Sequence, residues 1–161
     1  MNPESGMNSE SRRGRVLGVR LLQIAVVYLV LGMLGGIYMG ITHEVQYGPV
    51  HAHMNLLGWA TLALAGLIYQ VYPELAMHWL ARAHAWLHNI GLASMTAGML
   101  GMFSGHMEFF PLALFGALSA MLGVLFFAVN ICGRLGTSAS RSAQPNRALA
   151  AEYGQREARG V

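Results

Sequence analysis

The chain has 161 residues, of which 55% are hydrophobic and 11% charged, against about 25% charged in an ordinary soluble domain. It has no lysine and no aspartate, and its net charge of +3 rests on arginines placed mostly toward the ends; the basic stripe with interleaved aromatics of a nucleic-acid binder is excluded. The one cysteine, Cys132, excludes an internal disulfide and any CxxC motif for a metal or a covalently held haem.

Residues 1–15 are polar and are expected to form a disordered N-tail. The first hydrophobic segment, about 16–41, is too long for a signal peptide and lacks a clear A-x-A cleavage site, so it reads as a retained anchor. Three further segments of similar length follow at about 50–72, 83–104 and 110–132. About 20 apolar residues cross a bilayer, and hydrocarbon leaves the backbone no partner but itself, so all four are expected to be helices. Pro49 and Pro111 fit first turns, where a missing N–H costs least. Pro73 closes the second segment and opens the approach to the third. Residues 134–161 form a polar C-tail in which 146–159 suit a short surface helix. The expected fold class is all-α, an integral membrane four-helix bundle with a transmembrane domain at 16–133.

Arg12, Arg13, Arg15 and Arg20 precede or open the first segment, Arg82 lies between the second and third, and Arg134, Arg141, Arg147, Arg156 and Arg159 follow the fourth. The other two loops, 43–49 and 105–109, have no arginine. The positive-inside rule then places both termini in the cytoplasm, with lipid as the surrounding partner. Gly32, Gly36 and Gly40 with Gly35, then Ala93, Ala97 and Gly101, then Gly116, Ala120 and Gly123, form small-residue stripes. Such stripes let helix backbones approach, within the bundle or in a homo-oligomer. Eleven methionines include Met39, Met54, Met102 and Met107 near the outer helix ends; thioethers fill gaps in apolar packing or bind Cu(I).

Ionisable side chains inside a bilayer mark sites by default. His51 and His53 open the second helix, in Pro49-Val50-His51-Ala52-His53. Two residues apart on an α-helix means about 200° apart in direction, so the rings project from opposite faces. That suits two cofactors, or one cofactor and one partner helix, but not chelation of one ion. Asn55 and Gly58 share the face of His51, and the glycine leaves room for a flat macrocycle; Leu57 and Ala60 share the face of His53. His43 and His106, with Glu44 and Glu108, come from neighbouring loop edges. The residues leave three readings open: axial ligation of b-type haem, a copper or zinc site from His51, His53, His106 and His43, or helix-end hydrogen bonding to loop carbonyls. His84 and His88, four apart on one face, are expected to sit at the inner interface beside Trp86, His78 and Trp79.

The run Val50-His51-Ala52-His53, Gly58-Trp59, Gly66-Leu67-Ile68-Tyr69 and Tyr72-Pro73 resembles the tenth helix of haem-copper oxidase subunit I, above all in C-type cytochrome c oxidases and nitric oxide reductases. His84-Ala85-Trp86-Leu87-His88-Asn89-Ile90-Gly91 is similar to the start of that family's next helix, and the resemblance covers about residues 25–105. It implies that His51 holds a high-spin-type haem and His53 a low-spin-type haem. The chain departs from the family in having four apolar segments, no adjacent His-His pair and no copper-binding segment. Oxygen or nitric oxide reduction by this chain alone is therefore not expected. The expectation is a membrane protein binding haem b for respiratory electron transfer, haem handling or gas sensing. The alternatives are a cofactor-free assembly subunit docked on respiratory-complex subunits and a copper-handling protein.

Overall fold

The computed structural model describes the backbone of residues 3–158 and the side chains of residue 12 and residues 14–134; the expectations for tail side chains lie outside that range. Among the described residues there is no strand. The chain runs through α1 (Pro3–Thr42), a 3-10 turn (Val45–Tyr47), α2 (Gly48–His53), a π-helical stretch (Met54–Thr61), α3 (Leu62–Val71), α4 (Pro73–Met77), α5 (Trp79–Phe103), a second 3-10 turn (Met107–Phe109) and α6 (Phe110–Ala158). Segments α2, π and α3 follow one another without a break, so the second rod spans Gly48 to Val71.

Prolines mark the starts. Pro49 lies in the first turn of α2, Pro73 opens α4 and Pro111 is second in α6. The start of α5 is set by His78, whose Nδ1 accepts from the Leu80 N–H at 3.4 Å and satisfies one of the first-turn donors. The third helix therefore begins at Trp79, four residues before the 83 expected from hydrophobicity, because a cap rather than an apolar boundary starts it.

Three helices are long and apolar enough to cross a membrane: Gly14–Thr42, Val45–Val71 and Met107–Arg134. Many large apolar side chains remain exposed on them, among them Val27, Leu34, Ile37, Leu64, Phe115 and Val129. In water so extensive an apolar shell would drive aggregation, whereas lipid is its natural solvent. The fourth rod, α5, has 25 residues and a length of about 37 Å. It is long enough to span but is not among those three, because Arg82, His84, His88, Asn89 and Thr96 dilute its apolar face.

Small residues close two seams. A Cβ on Gly18 would lie 2.7 Å from the Gly66 carbonyl oxygen, so α1 and α3 touch backbone to backbone. Gly91, Gly98 and Gly116 bring α5 and α6 into similar contact, and Ser119 donates to the Leu87 carbonyl at 3.0 Å across that seam. The core of the first seam is Leu21, Ala25, Leu62, Ala65 and Tyr69, continued by Leu75 and Ala76 of α4. Without a hydrophobic driving force between helices in lipid, van der Waals contact of this closeness holds the rods together. The stripe on α1 divides: Gly32 and Gly36 meet the second rod, while Gly35 and Gly40 face open space.

Candidate functional site

His51 stands on the wall of the second rod that meets α1. Its Nδ1 lies 2.8 Å from the Gly32 carbonyl oxygen. A carbonyl only accepts, so Nδ1–H donates and Nε2 of the neutral ring is left as a lone pair. The ring rests on Gly36, where a Cβ would come within 2.9 Å of Cε1. The i, i+4 glycines of α1 thus serve the histidine directly. A cavity of about 480 Å³ opens beside it between α1, α2 and α5, and its walls include Gly35, Tyr38, Met39, Met54 and Leu100.

Asn55 and Gly58 lie on this side too, but neither lines the cavity. The Asn55 amide donates to the His51 carbonyl at 2.8 Å and packs on Gly32, where a Cβ would approach Nδ2 to 2.6 Å. The space over Gly58, expected to admit a flat macrocycle, is filled by the Tyr28 ring, whose Cγ a Cβ would meet at 2.5 Å. The reason is the glycine stripe: it draws α1 so close that Tyr28 reaches the second rod. The room for a ligand lies instead toward α5. The π-helical turn occurs at the same point, with Thr61 Oγ1 donating to the Leu56 carbonyl five residues back at 2.8 Å. Such widened turns concentrate at functional sites.

His53 faces the other way. Its Nδ1 lies 2.7 Å from the Pro49 carbonyl oxygen, which again leaves Nε2 as a lone pair. A second cavity, about 360 Å³, is walled by His53, Leu57, Met95, Ala120 and Met121, between the second rod, α5 and α6. The two imidazoles therefore serve separate cavities on separate walls. Each cavity carries one histidine and two methionines. Donation of the second ring N–H to a main-chain carbonyl is the arrangement that orients a metal-ligating histidine and raises its basicity.

His43 and His106 do other work. His43 is exposed, adopts φ 59° and bonds its N–H to the Met39 carbonyl at 2.9 Å, the left-handed position that ends a helix. His106 is exposed and pairs Nδ1 with Glu108 Oε1 at 3.0 Å. Among the described residues no three His, Cys, Asp or Glu side chains gather to hold one metal ion. His51, His53, His106 and His43 do not come together as one such group among the described residues.

His84 and His88 are fully buried rather than interfacial. His88 Nε2 donates to the Leu57 carbonyl at 3.0 Å, His84 Nδ1 lies 3.3 Å from the Tyr69 hydroxyl, and the rings are 5.5 Å apart. Phe127 packs on His84 at 4.8 Å, and Gly123 lets α6 touch the backbone at His88. His84 Nε2 and His88 Nδ1 have no hydrogen-bond partner. Asn130, also fully buried, donates to the Leu75 carbonyl at 2.9 Å. The sequence reading put His84 and His88 on one face of this helix but did not foresee that the face is buried, nor the place of Asn130. The i, i+4 spacing facing the Gly123 of a later helix was the available signal. No family model, curated protein or solved structure matches the chain.

Proposed function

We propose that this is a four-span protein of the bacterial inner membrane, with α5 as the additional span and both termini in the cytoplasm, that binds haem b through His51 and His53. Arginine placement supports the orientation. Packing supports α5 as a span: His84 and His88 are buried against the second rod, and only Arg82, near the start of the helix, is an exposed charge, so its modest hydropathy is no bar to insertion. The single observation that carries the haem reading is the opposed pair of imidazoles, each with Nδ1 held by a main-chain carbonyl and each beside its own cavity.

Both cavities fall in the size range of small-molecule and cofactor sites, about 300–1,000 Å³, and their walls are mainly apolar, as a porphyrin needs. Haem supplies a one-electron couple or a gas-binding iron when bound. The chain's own contribution is to fix each ring through Gly32 and Pro49, to exclude water with leucine and alanine walls, and to offer thioethers from Met39 and Met54 or from Met95 and Met121. Electron transfer, haem handling or gas sensing in respiration fits this equipment and the resemblance to oxidase subunit I.

The one-histidine, two-thioether lining also favours a second reading, Cu(I) handling, since imidazole and thioether are ligands of that ion. The experiment is the absorption spectrum of protein purified in mild detergent after expression with haem supply, with elemental analysis alongside. Haem binding gives a Soret band that His51→Ala and His53→Ala each lower by about half, while His106→Ala leaves it intact. Stoichiometric copper without a Soret band establishes the second reading. Neither signal, with co-purifying oxidase subunits, overturns both in favour of an assembly role.

A further inference from the structure

Helices α1 and α5 each pack mainly on other partners, two cavities open between them, and the exposed faces that join these cavities outline a groove. On α1 the exposed positions recur at Arg20, Ile24, Val27 and Leu31; on α5 they recur at Arg82, Trp86, Ile90, Ala93 and Ala97. Both series keep the three- and four-residue spacing of one helical face. They meet at two ends. One end is the cavity beside His51, where Leu31 and Tyr38 of α1 face Leu100 of α5. The other is a cavity of about 260 Å³ whose walls include Leu17, Arg20, Ala76, Arg82 and Trp86.

We propose that this groove binds an anionic phospholipid, with its phosphate between Arg20 and Arg82 and an acyl chain along the α1 and α5 faces. Among the described residues Arg20 and Arg82 make no hydrogen bond or ion pair, although both line one cavity from different helices. Two unpaired arginines lining one concave site favour a multivalent oxyanion, and phosphate oxygens match their planar donors. Trp86 is 70% exposed beside them, and an indole at this position belongs to the headgroup level of a membrane. Basic pockets between helices are headgroup sites for the same reason.

The rest of the groove selects a lipid over a free anion. It is apolar from Ile24 and Ile90 onward. Arg20 to Tyr38 spans about 27 Å at 1.5 Å per residue, close to the hydrocarbon thickness, while one leaflet's chain covers about 15 Å. A lipid anchored at the arginine end therefore fills the half near Trp86 and leaves the cavity beside His51 free. A second copy of the chain is disfavoured as occupant. Lying in the same membrane with the same orientation, it would bring its own Arg20 and Arg82 to the same level, arginine against arginine.

The test is native mass spectrometry of the full chain released from nanodiscs of phosphatidylglycerol and phosphatidylcholine in equal parts. We expect one retained phosphatidylglycerol, favoured over phosphatidylcholine by about tenfold or more. Arg20→Gln with Arg82→Gln abolishes the preference, whereas Arg156→Gln, which removes one charge elsewhere, preserves it. Ile90→Trp narrows the groove at an exposed position within reach of the acyl chain without touching either arginine, and it too releases the lipid; this variant decides the matter if the double variant does not fold. Equal retention of both lipids, or retention of phosphatidylglycerol by Ile90→Trp, overturns the proposal. So does a dimer that excludes lipid. Thermal stabilisation by inorganic phosphate equal to that by the lipid would assign a simple anion site instead.

Discussion

Adjacent glycines on α1 are expected to respond differently to the same substitution. A Cβ at Gly35 meets nothing within 4 Å, whereas one at Gly36 comes within 2.9 Å of His51 Cε1. Gly35→Ala removes backbone freedom from the unfolded helix and adds no contact, so it stabilises by about 0.5–1 kcal/mol. Gly36→Ala has the same gain but pushes on a ring that cannot swing away, because its Nδ1–H is held by the Gly32 carbonyl at 2.8 Å. Loss of that hydrogen bond costs about 1 kcal/mol net, and about 1–3 kcal/mol if the N–H is left without a partner. The helix gain cancels between the two alanines, so a gap of about 1–3 kcal/mol is expected, with Gly36→Ala lying between no net change and a loss of about 2.5 kcal/mol. The assay is reversible unfolding of purified protein in detergent, followed by helical circular dichroism. Equal shifts for Gly35→Ala and Gly36→Ala would refute the placement of His51 against α1. Gly36→Ala should also lower any Soret band that His51 supports.

Replacing His88 by Ala leaves a hole beside Gly123 and removes the bond to the Leu57 carbonyl; a loss of about 2–4 kcal/mol is expected in the same unfolding assay. A change below 0.5 kcal/mol would mean that His88 is not enclosed. His43→Gly is expected to stabilise by up to about 1 kcal/mol, since glycine accepts φ 59° without the penalty of a side chain. A drop in bound haem or copper in that variant would instead make His43 a ligand. Thr61→Val removes the hydroxyl that bridges to Leu56 across the π turn. A loss of about 1 kcal/mol is expected, and unchanged stability would show that the widened turn does not depend on that bond.

Much of the candidate site was legible in the sequence. The i, i+2 placement of His51 and His53 sends the rings to opposing walls whatever the neighbours are, because helical geometry alone sets the angle between them. Which carbonyls hold them was not legible. The Gly32 contact joins residues nineteen apart, and nothing local to either one announces it. Gly58 shows the limit most plainly. A missing side chain creates room, but whether a cofactor or Tyr28 takes that room depends on how near α1 is drawn by glycines in another helix.

The primary structure by itself determined the helical class, three apolar rods and the charge asymmetry of the ends, because each follows from local composition acting on a backbone that lipid cannot solvate. Tertiary structure decided which histidines are buried, which side chains share a cavity, and where α1 and α5 part. Those outcomes depend on contacts between residues far apart in the chain, set by backbone closeness at glycines such as Gly18, Gly36, Gly91 and Gly123. Hydropathy read along one strand of sequence sums each helix separately. It cannot register that His84 and His88 are dry because another helix lies on them.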